Sequence, residues 1–586
     1  MQPSPGNRRP ASPTGDSEPS CQESPARAAQ AMDGFTPPGN GQLAAAGAAG
    51  DAIERSKKAY AANPQSARAA LDYALCLFTH DGKDAAIPIL RRIVAAGERH
   101  HYVLFVLAYA LTECGIRGKS DSLLKEAVHC YTEILATRHD DSKTWNNLGM
   151  CLLYLQKINE AERCFLKAIQ LEGDNAEHYN NIALVARLKN LPGLSVDCCK
   201  KAIALKPCYP DAYNNLGNAL KDINDLEGAK TAYEKAFSLQ PSPEFRCNLA
   251  MTLLSMGDLK TGWKLFESRK ESNGFKSGAL AGRIPQWRGQ AAPGKTLFVS
   301  SEQGFGDTLQ FCRYAAMAKE KGLAVRMRVQ KPLVRLLQSL DGIDGVFAEP
   351  PAGAYDFQCP MMSLPLAFGT ELDAIPYAGP YLRAPAADVR SWQDKLAGVA
   401  GFKVGLVWSG QSRRQLADFG LSHQQRSMPP EHFETLMGMD GIRFFNLQKD
   451  GPRSPGGLSM QDHMDACQDF ADTAALVMNL DLVITVDTAM AHLAGALGKP
   501  VWVLNRFSGC WRWLRNREDS PWYPTLRLFT QAAPGDWAGV MARVKQALAR
   551  VRGEAGGGEA ETGVSCGERS CHTDGRRNGP GARKAG

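Results

Sequence analysis

No stretch of this chain approaches the roughly 18 to 20 consecutive apolar residues that a helix needs to cross a bilayer, so membrane insertion is not expected. The opening residues, MQPSPGNRRPASPTGDSEPS, lack the apolar core of a secretory signal, and Met32 offers a second start. A cytoplasmic location is the expectation. Sixteen cysteines are scattered with no CxxC spacing, which excludes paired-cysteine zinc motifs and argues against a disulfide framework. Reduced thiols and no metal are expected. Cys198 and Cys199 read as packing, and Cys566, Cys571 and His572 lie in a glycine-rich tail that offers little to order a metal site. The net charge is only +7 over 586 residues, and basic residues alternate with acidic ones. Without a basic stripe, nucleic acid is not an expected partner.

What is present is ordinary globular composition, 44% hydrophobic and 22% charged, over a length that exceeds one hydrophobic core and implies two to four domains. Residues 1–52 are rich in Pro, Gly, Ser and Ala, and residues 553–586 in Gly. Neither segment can bury enough apolar surface to offset the entropy of ordering, so both are expected to be disordered.

Between them runs a repeat of 34 residues. Ser142–Asn175, Ala176–Tyr209 and Pro210–Pro243 align without gaps, and a fourth copy opens at Glu244 and is one residue shorter. Trp145, Tyr179 and Tyr213 correspond, as do Leu148, Ile182 and Leu216, and Ala168, Ala202 and Ala236. Upstream, Ala127, Val128 and Tyr131 fall in phase, and Ala67–Glu98 reads as a degenerate helical pair, giving five to six units over residues 53–270. The pattern resembles the tetratricopeptide repeat, antiparallel helix pairs stacked into a superhelix. Asn147, Asn181, Asn215 and Asn248 recur at one repeat position. They are expected along the concave face, where amides can hydrogen-bond the backbone of an extended peptide. The row resembles the asparagine ladder of eukaryotic protein O-GlcNAc transferases; asparagine here can equally bridge adjacent units.

After GWKLFESR at Gly262–Arg269 the pattern changes. From Lys295, apolar strands alternate with helices: TLFVSS from Thr296, a helix over Asp307–Lys321, AVRMRVQ from Ala324, and a helix over Pro332–Leu340. A second block opens with KVGLVWSG at Lys403 and continues through FFNLQ, TVDTAMAHL and KPVWVLN. Such alternation implies parallel sheets covered by helices, with ligand at the carboxyl ends of the strands. The expectation is an all-α superhelix over 53–270, then two Rossmann-like halves over 271–400 and 401–552 facing across a cleft.

Two strings carry candidate chemistry. In DLVITVDTAMAHLAGAL, Asp481–Leu497, a strand enters a small-residue helix with Asp487, Thr488 and His492 at the turn; unpaired N–H groups and a positive helix end there suit a diphosphate. His492 can bond a phosphate or a backbone carbonyl. In SEQGFGDTLQF, Ser301–Phe311, Gly304 and Gly306 are expected to turn the backbone and admit a ligand, with Asp307 at the helix mouth. Asp307 is also a good helix cap, and a carboxylate tied to backbone N–H groups is a weaker base.

The pairing of GFGDTLQF with VDTAMAHLAGALGKPVWVL resembles the heptosyltransferase-like glycosyltransferases, often called family nine. WRWLRNREDSPWYPTLRLF, Trp511–Phe529, is similar to a bacterial subgroup with tetratricopeptide repeats before the catalytic region. The resemblance implies a GT-B-type fold and a metal-independent, inverting transfer from a nucleotide diphosphate sugar, a co-substrate, with no cofactor. It implies that Asp307 is the general base. It places the nucleotide sugar at Asp487, Thr488, Ala489 and His492, near Gly304 and Gly306, with Arg426 facing the phosphates and Gln448 and Lys449 bordering the nucleotide. The acceptor would be a protein or peptide held by the repeats. The family commonly has glycine at the position of Ala489 and a proline-containing loop where this chain has NRFSGC, Asn505–Cys510. Those departures keep open a repeat scaffold with a vestigial transferase domain; a further alternative, a transferase acting on lipopolysaccharide or another glycan, keeps the chemistry and changes the acceptor. The polar loop Gln411–Gln425 is long enough to close over a ligand.

Overall fold

The computed structural model describes residues 46–556 apart from Asp81, 272–283, 350–352, Ala378, 411–423 and 450–457. Most of the expected disordered ends, with Cys566, Cys571 and His572, therefore lie outside the described residues, as do residues 411–423 of the closing loop. At the margins the expectation is corrected: the first helix spans Ala46–Ala62 and the last Trp537–Gly556.

Six antiparallel helix pairs follow the first helix, from Ala67–Thr79 with Lys83–Ala95 to Pro243–Met256 with Leu259–Phe266. Polar caps begin many of these helices: Asp141 accepts from the Thr144 N–H, Asn175 from Glu177, Asp225 from Gly228 and Asp258 from Thr261, supplying orphan donors of the first turn. The turn inside each of the last four pairs holds one residue in the left-handed region, Gln156, Asn190 and Asn224 at φ 63°, 59° and 65°, then Gly257 at 89°. Packing within a pair needs a small residue opposite a large one. A Cβ on Gly149 would lie 2.7 Å from the Phe165 ring and one on Gly217 2.7 Å from Tyr233. Ala168, Ala202 and Ala236 are fully buried. The chain thus has an N-terminal all-helical tetratricopeptide superhelix.

Two wholly parallel sheets follow. The first orders its strands β3-β2-β1-β4, with β1 Thr296–Ser300, β2 Ala324–Arg328, β3 Gly345–Phe347 and β4 Phe357–Pro360. The second orders them β10-β9-β8-β5-β6-β7, with β5 Phe402–Val407, β6 Ile442–Asn446, β7 Gln461–Asp462, β8 Leu482–Val486, β9 Val501–Asn505 and β10 Leu526–Thr530. Strands β8 and β9 are buried at every position, as expected where helices cover both faces. Two expected helices are revised. Asp307–Lys321 is a pair, Phe305–Phe311 and Tyr314–Glu320, and Pro332–Leu340 shortens to a 3₁₀ turn at Lys331–Leu333 and one α-turn at Val334–Leu337.

Repeats and sheets share one hydrophobic core. Trp263 from the last repeat packs edge-on against Phe311 beyond β1 and Trp511 beyond β9, at 6.0 and 5.2 Å between ring centroids. Trp522 meets Phe311 and Trp511 at 5.8 and 6.1 Å. Beside this cluster the buried Arg269 makes a two-pronged ion pair with Glu302 at 3.0 and 2.8 Å and bonds Ser363 Oγ at 2.8 Å. Among the described residues no helix is long and apolar enough to cross a membrane, and no group of three or more His, Cys, Asp or Glu is placed to hold a metal ion.

Glu267 completes the joint, pairing with Arg269 at 2.8 Å and Lys270 and accepting from Ser363 Oγ at 2.6 Å. Burial opposes its charge, but Arg269, then Lys270 and Ser363, outweigh burial and lower its pKa from 4.5 to about 2. The folded-state value lies below the unfolded one, so the stabilisation is fully present above about pH 4.5 and is lost as pH falls through about 2. Glu267→Gln should cost up to about 3 kcal/mol at pH 7, at about 1.4 kcal/mol per pKa unit. Denaturant titrations should show the variant losing less stability than the parent between pH 4.5 and 2.

Candidate functional site

The loop after β1 runs directly into the helix Phe305–Phe311, whose third residue is Asp307. Gly304, at φ −75° and ψ 172°, is in extended backbone that any residue adopts, so the expectation that it turns the chain sharply is corrected. The Gly304 N–H donates to Asp307 Oδ2 at 2.8 Å. Asp307 Oδ1 is ion-paired with Arg512, from the second half. Arg512 Nε also donates to Gln310 Oε1 at 2.5 Å, and its guanidinium lies 4.3 Å from the Trp511 ring centroid. Burial disfavours the Arg512 charge, yet Asp307, then Cys510 and Asp487, together outweigh it and its pKa stands raised. Both Asp307 oxygens are therefore engaged, one by a helix N-terminus and one by a guanidinium.

The second string forms the strand, turn and helix expected of it. Thr488 is extended at φ −135° and ψ 177° and caps the helix Ala489–Ala496, its Oγ1 accepting from the Met490 N–H at 3.3 Å and sharing a bond with Thr485 Oγ1 at 2.9 Å. Asp487 is half-buried at the end of β8. His492 is buried. Its Nδ1 pairs with Tyr523 OH at 3.0 Å, and its ring stacks on Trp513 at 5.4 Å. At this nitrogen the protein partner is a phenol, where a backbone carbonyl was one of the two expectations. Burial first, then Arg512 and Arg313, hold the His492 pKa well below its usual value, so the imidazole is neutral near pH 7.

The two strings meet at Gly306. A Cβ there would lie 2.8 Å from His492 Cδ2 and 3.5 Å from Ala489 Cα. Glycine is required at this point for close approach between the halves, and no unusual φ is involved.

Other expected site residues are committed to structure. Gln448 is buried, accepts from the Trp408 and Ser409 N–H groups at 3.2 and 3.0 Å and donates to Ser409 O at 2.9 Å, pinning the exit of β5 to the end of β6. Lys449 Nζ donates to Met464 O at 3.2 Å and to Cys467 O. Arg426 lies across Gly410, where a Cβ would fall 2.8 Å from its Nη2. The asparagines bridge neighbouring repeats: Nδ2 of Asn181, Asn215 and Asn248 donates to Oδ1 of Asn146, Asn180 and Asn214 at 2.9, 2.8 and 2.9 Å. Asn147 begins the row and is half-buried.

Sequence reasoning missed Arg512, Gln310, Arg313 and Tyr523. Arg313 is buried and donates to Pro376 O, Trp522 O and Tyr381 OH at 3.2, 2.9 and 3.0 Å. It stands 4.6 and 4.8 Å from the Tyr381 and Tyr523 ring centroids. The signal available for Arg512 was a cation between two tryptophans in WRW, too bulky a string for an idle loop.

Gly306→Ala should cost about 1–3 kcal/mol as an overpacking change, because the stacked and hydrogen-bonded His492 ring cannot move aside. Urea unfolding of Gly306→Ala, His492→Ala and the double variant should show a double loss well below the sum.

Models of the tetratricopeptide repeat family match residues 142–175 and 210–243. Among curated proteins the chain is similar to Protein FlbA of Caulobacter vibrioides, 28% identical over 364 residues, which cover 56% of this chain and 59% of that protein. The chain thus spans 59% of the length of the relative it matches. Among solved structures it is similar to a thermophilic tetratricopeptide protein of Thermus thermophilus, with 18% identity, 32% of this chain and 100% of that chain covered, and a TM-score of 0.29. It is also similar to PilF of Pseudomonas aeruginosa, with 16% identity, coverage of 37% and 92%, and a TM-score of 0.29.

Proposed function

We propose that the chain is a metal-independent, inverting glycosyltransferase of GT-B type, its halves over residues 271–400 and 401–552. It moves a sugar from a nucleotide diphosphate sugar to a hydroxyl of a protein or peptide acceptor carried by the repeats. The observation that supports this most is the contact at Gly306, which sets the loop of Asp307 against the helix start at Ala489.

On this reading the diphosphate sits at the positive end of the helix Ala489–Ala496, where aligned N–H groups stabilise negative charge. The acceptor oxygen attacks the anomeric carbon as the bond to the diphosphate breaks. The hydroxyl proton passes to Asp307 and the bonding electrons leave with the phosphate. Arg512 then has two candidate anions, Asp307 and the leaving diphosphate. Its transfer toward the diphosphate frees the carboxylate to act as base at the moment the leaving group needs a cation.

A second reading, a repeat scaffold whose transferase-like region does not turn over, is favoured by the Arg512–Asp307 pair itself, since the guanidinium occupies a carboxylate oxygen that an acceptor hydroxyl would have to reach. Purified full-length protein should transfer sugar from at least one nucleotide diphosphate sugar. Asp307→Asn should lower kcat/KM by about 10²-fold or more, the scale of lost general-base catalysis, while nucleotide diphosphate affinity stays within about threefold by calorimetry. Transfer by the variant at the parent rate would remove Asp307 from the chemistry, and nucleotide binding by the parent with no turnover would establish the scaffold reading.

A further inference from the structure

A cavity of about 180 Å³ lies where the turns of the repeats meet the carboxyl ends of β9 and β10. Asn190 and Asp222 line it from the repeats, and Gln425, Arg506, Ser508 and Gln531 from the second half. Asp487, Thr488, Ala489 and His492 are not among its walls, so it is separate from the turn to which the transferase reading assigns the diphosphate. Asn224, one repeat after Asn190, anchors this edge by donating to Phe507 O at 2.9 Å.

One hydrogen-bond donor of the cavity wall has no matching acceptor among the described residues. Gln531 is buried, and its Oε1 accepts from the Phe507 and Gly535 N–H groups, both at 3.1 Å. Those two donors fix which end of the amide is oxygen. Its Nε2 is then a buried donor with no acceptor among the described residues, an arrangement that costs free energy unless a ligand completes it. Arg506 donates through Nη1 to Gln425 Oε1 at 2.7 Å, a neutral partner. The carboxylate across the cavity, Asp222, is already ion-paired with Arg187 at 2.6 Å. Behind Arg506, Arg515 has a buried Nε with no partner among the described residues. Burial, then the charge of Arg506, pushes its pKa down to about 10. Burial likewise lowers that of Arg506, despite Asp222 and Asp487. The region carries positive charge that its own carboxylates do not balance.

We infer that this cavity is an oxyanion-binding site, in which Arg506 and Gln531 hold a phosphate or carboxylate group at the junction of repeats and second half. A guanidinium is suited to either group. The apolar walls contributed by Leu188 and Trp537 leave room for the body of the molecule that bears it. The inference is independent of the transferase reading.

The test is thermal unfolding of the full chain in inorganic phosphate, in acetate and in chloride at matched ionic strength, since a ligand of the folded state raises Tm by mass action. Phosphate or acetate should raise Tm over chloride, and which one does so identifies the group. Arg506→Gln should weaken the effective oxyanion at least about tenfold, the scale of one lost charge-assisted hydrogen bond. Ser508→Asp, which places a carboxylate inside the cavity, should raise Tm in chloride and abolish the response to added oxyanion. Asp307→Asn should keep the response intact, so failure of this site and failure of the transferase reading are distinguished. Equal Tm in all three salts, or a response that survives Arg506→Gln, would overturn the inference. If Arg506→Gln does not fold, an undiminished response in Ser508→Asp would overturn it alone.

Discussion

The ion pair between Asp307 and Arg512 joins residues 205 positions apart in the chain, one in the helix that follows β1 and one beyond β9. Both side chains are largely removed from water. Taking two charges out of solvent is costly, and removing one partner of such a pair leaves an uncompensated charge worth about 3–5 kcal/mol. The surroundings support the pair: the Gly304 N–H donates to the second carboxylate oxygen, Gln310 Oε1 accepts from Arg512 Nε, and the Trp511 face carries the cation. The position of the segment Trp511–Trp513, and with it the stacking of His492 on Trp513, depends on this anchor. Leu514, just beyond, takes up the sharp change of direction at φ 56° and ψ −166°, a conformation that a leucine holds only when its neighbours over-determine it.

The same anchor governs the repeats. Trp263 packs on Phe311 and Trp511, so the last repeat, the helix of Asp307 and the strap of Arg512 form one aromatic cluster. Rings in edge-on contact inside a core lose their packing if any of the three elements shifts. The superhelix is therefore held by its last repeat rather than hinged there. The left-handed turn residues further back, Asn190 and Asn224, reach Gln425 and Phe507 in the second half. A repeat whose internal turn touches the α/β region is constrained in what it can present elsewhere, and this argues against a freely swinging arm.

Much of this was legible where a local pattern decides the outcome. The 34-residue period located the helix pairs because each pair needs a small residue opposite a large one, as Gly149 opposes Phe165. The strands β1, β5, β8 and β9 were legible because strands buried on both faces are continuous apolar runs. What was not legible depended on partners distant in sequence. The role of Gly306 follows from a contact with residue 492, and no local rule separates it from Gly304, whose backbone is ordinary. Gln448 and Lys449 stood at the right strand end for a ligand, but their polar atoms are consumed by backbone groups across the sheet. The asparagine row was placed at the right repeat position. Its amides serve the neighbouring repeat, an outcome set by the second asparagine of each pair at positions 146, 180 and 214.

The commitment of Asp307 changes what a general base would require here. One carboxylate oxygen accepts from the Gly304 N–H and the other is paired with the Arg512 guanidinium, so neither is open to an acceptor hydroxyl while both contacts stand. Activity on the transferase reading therefore cannot rest on Asp307 alone. It needs an event that removes Arg512, and the natural event is arrival of a second anion for which the guanidinium has comparable affinity, since a diphosphate offers the same bidentate geometry as a carboxylate. Neutral His492, packed against the same strap and held below its usual pKa by burial and by Arg512, would feel any such movement directly. On the transferase reading alone, the strap would couple the state of the carboxylate in one half to the occupancy of the turn in the other; on either reading, the Asp307–Arg512 pair is what ties the two strings across the halves.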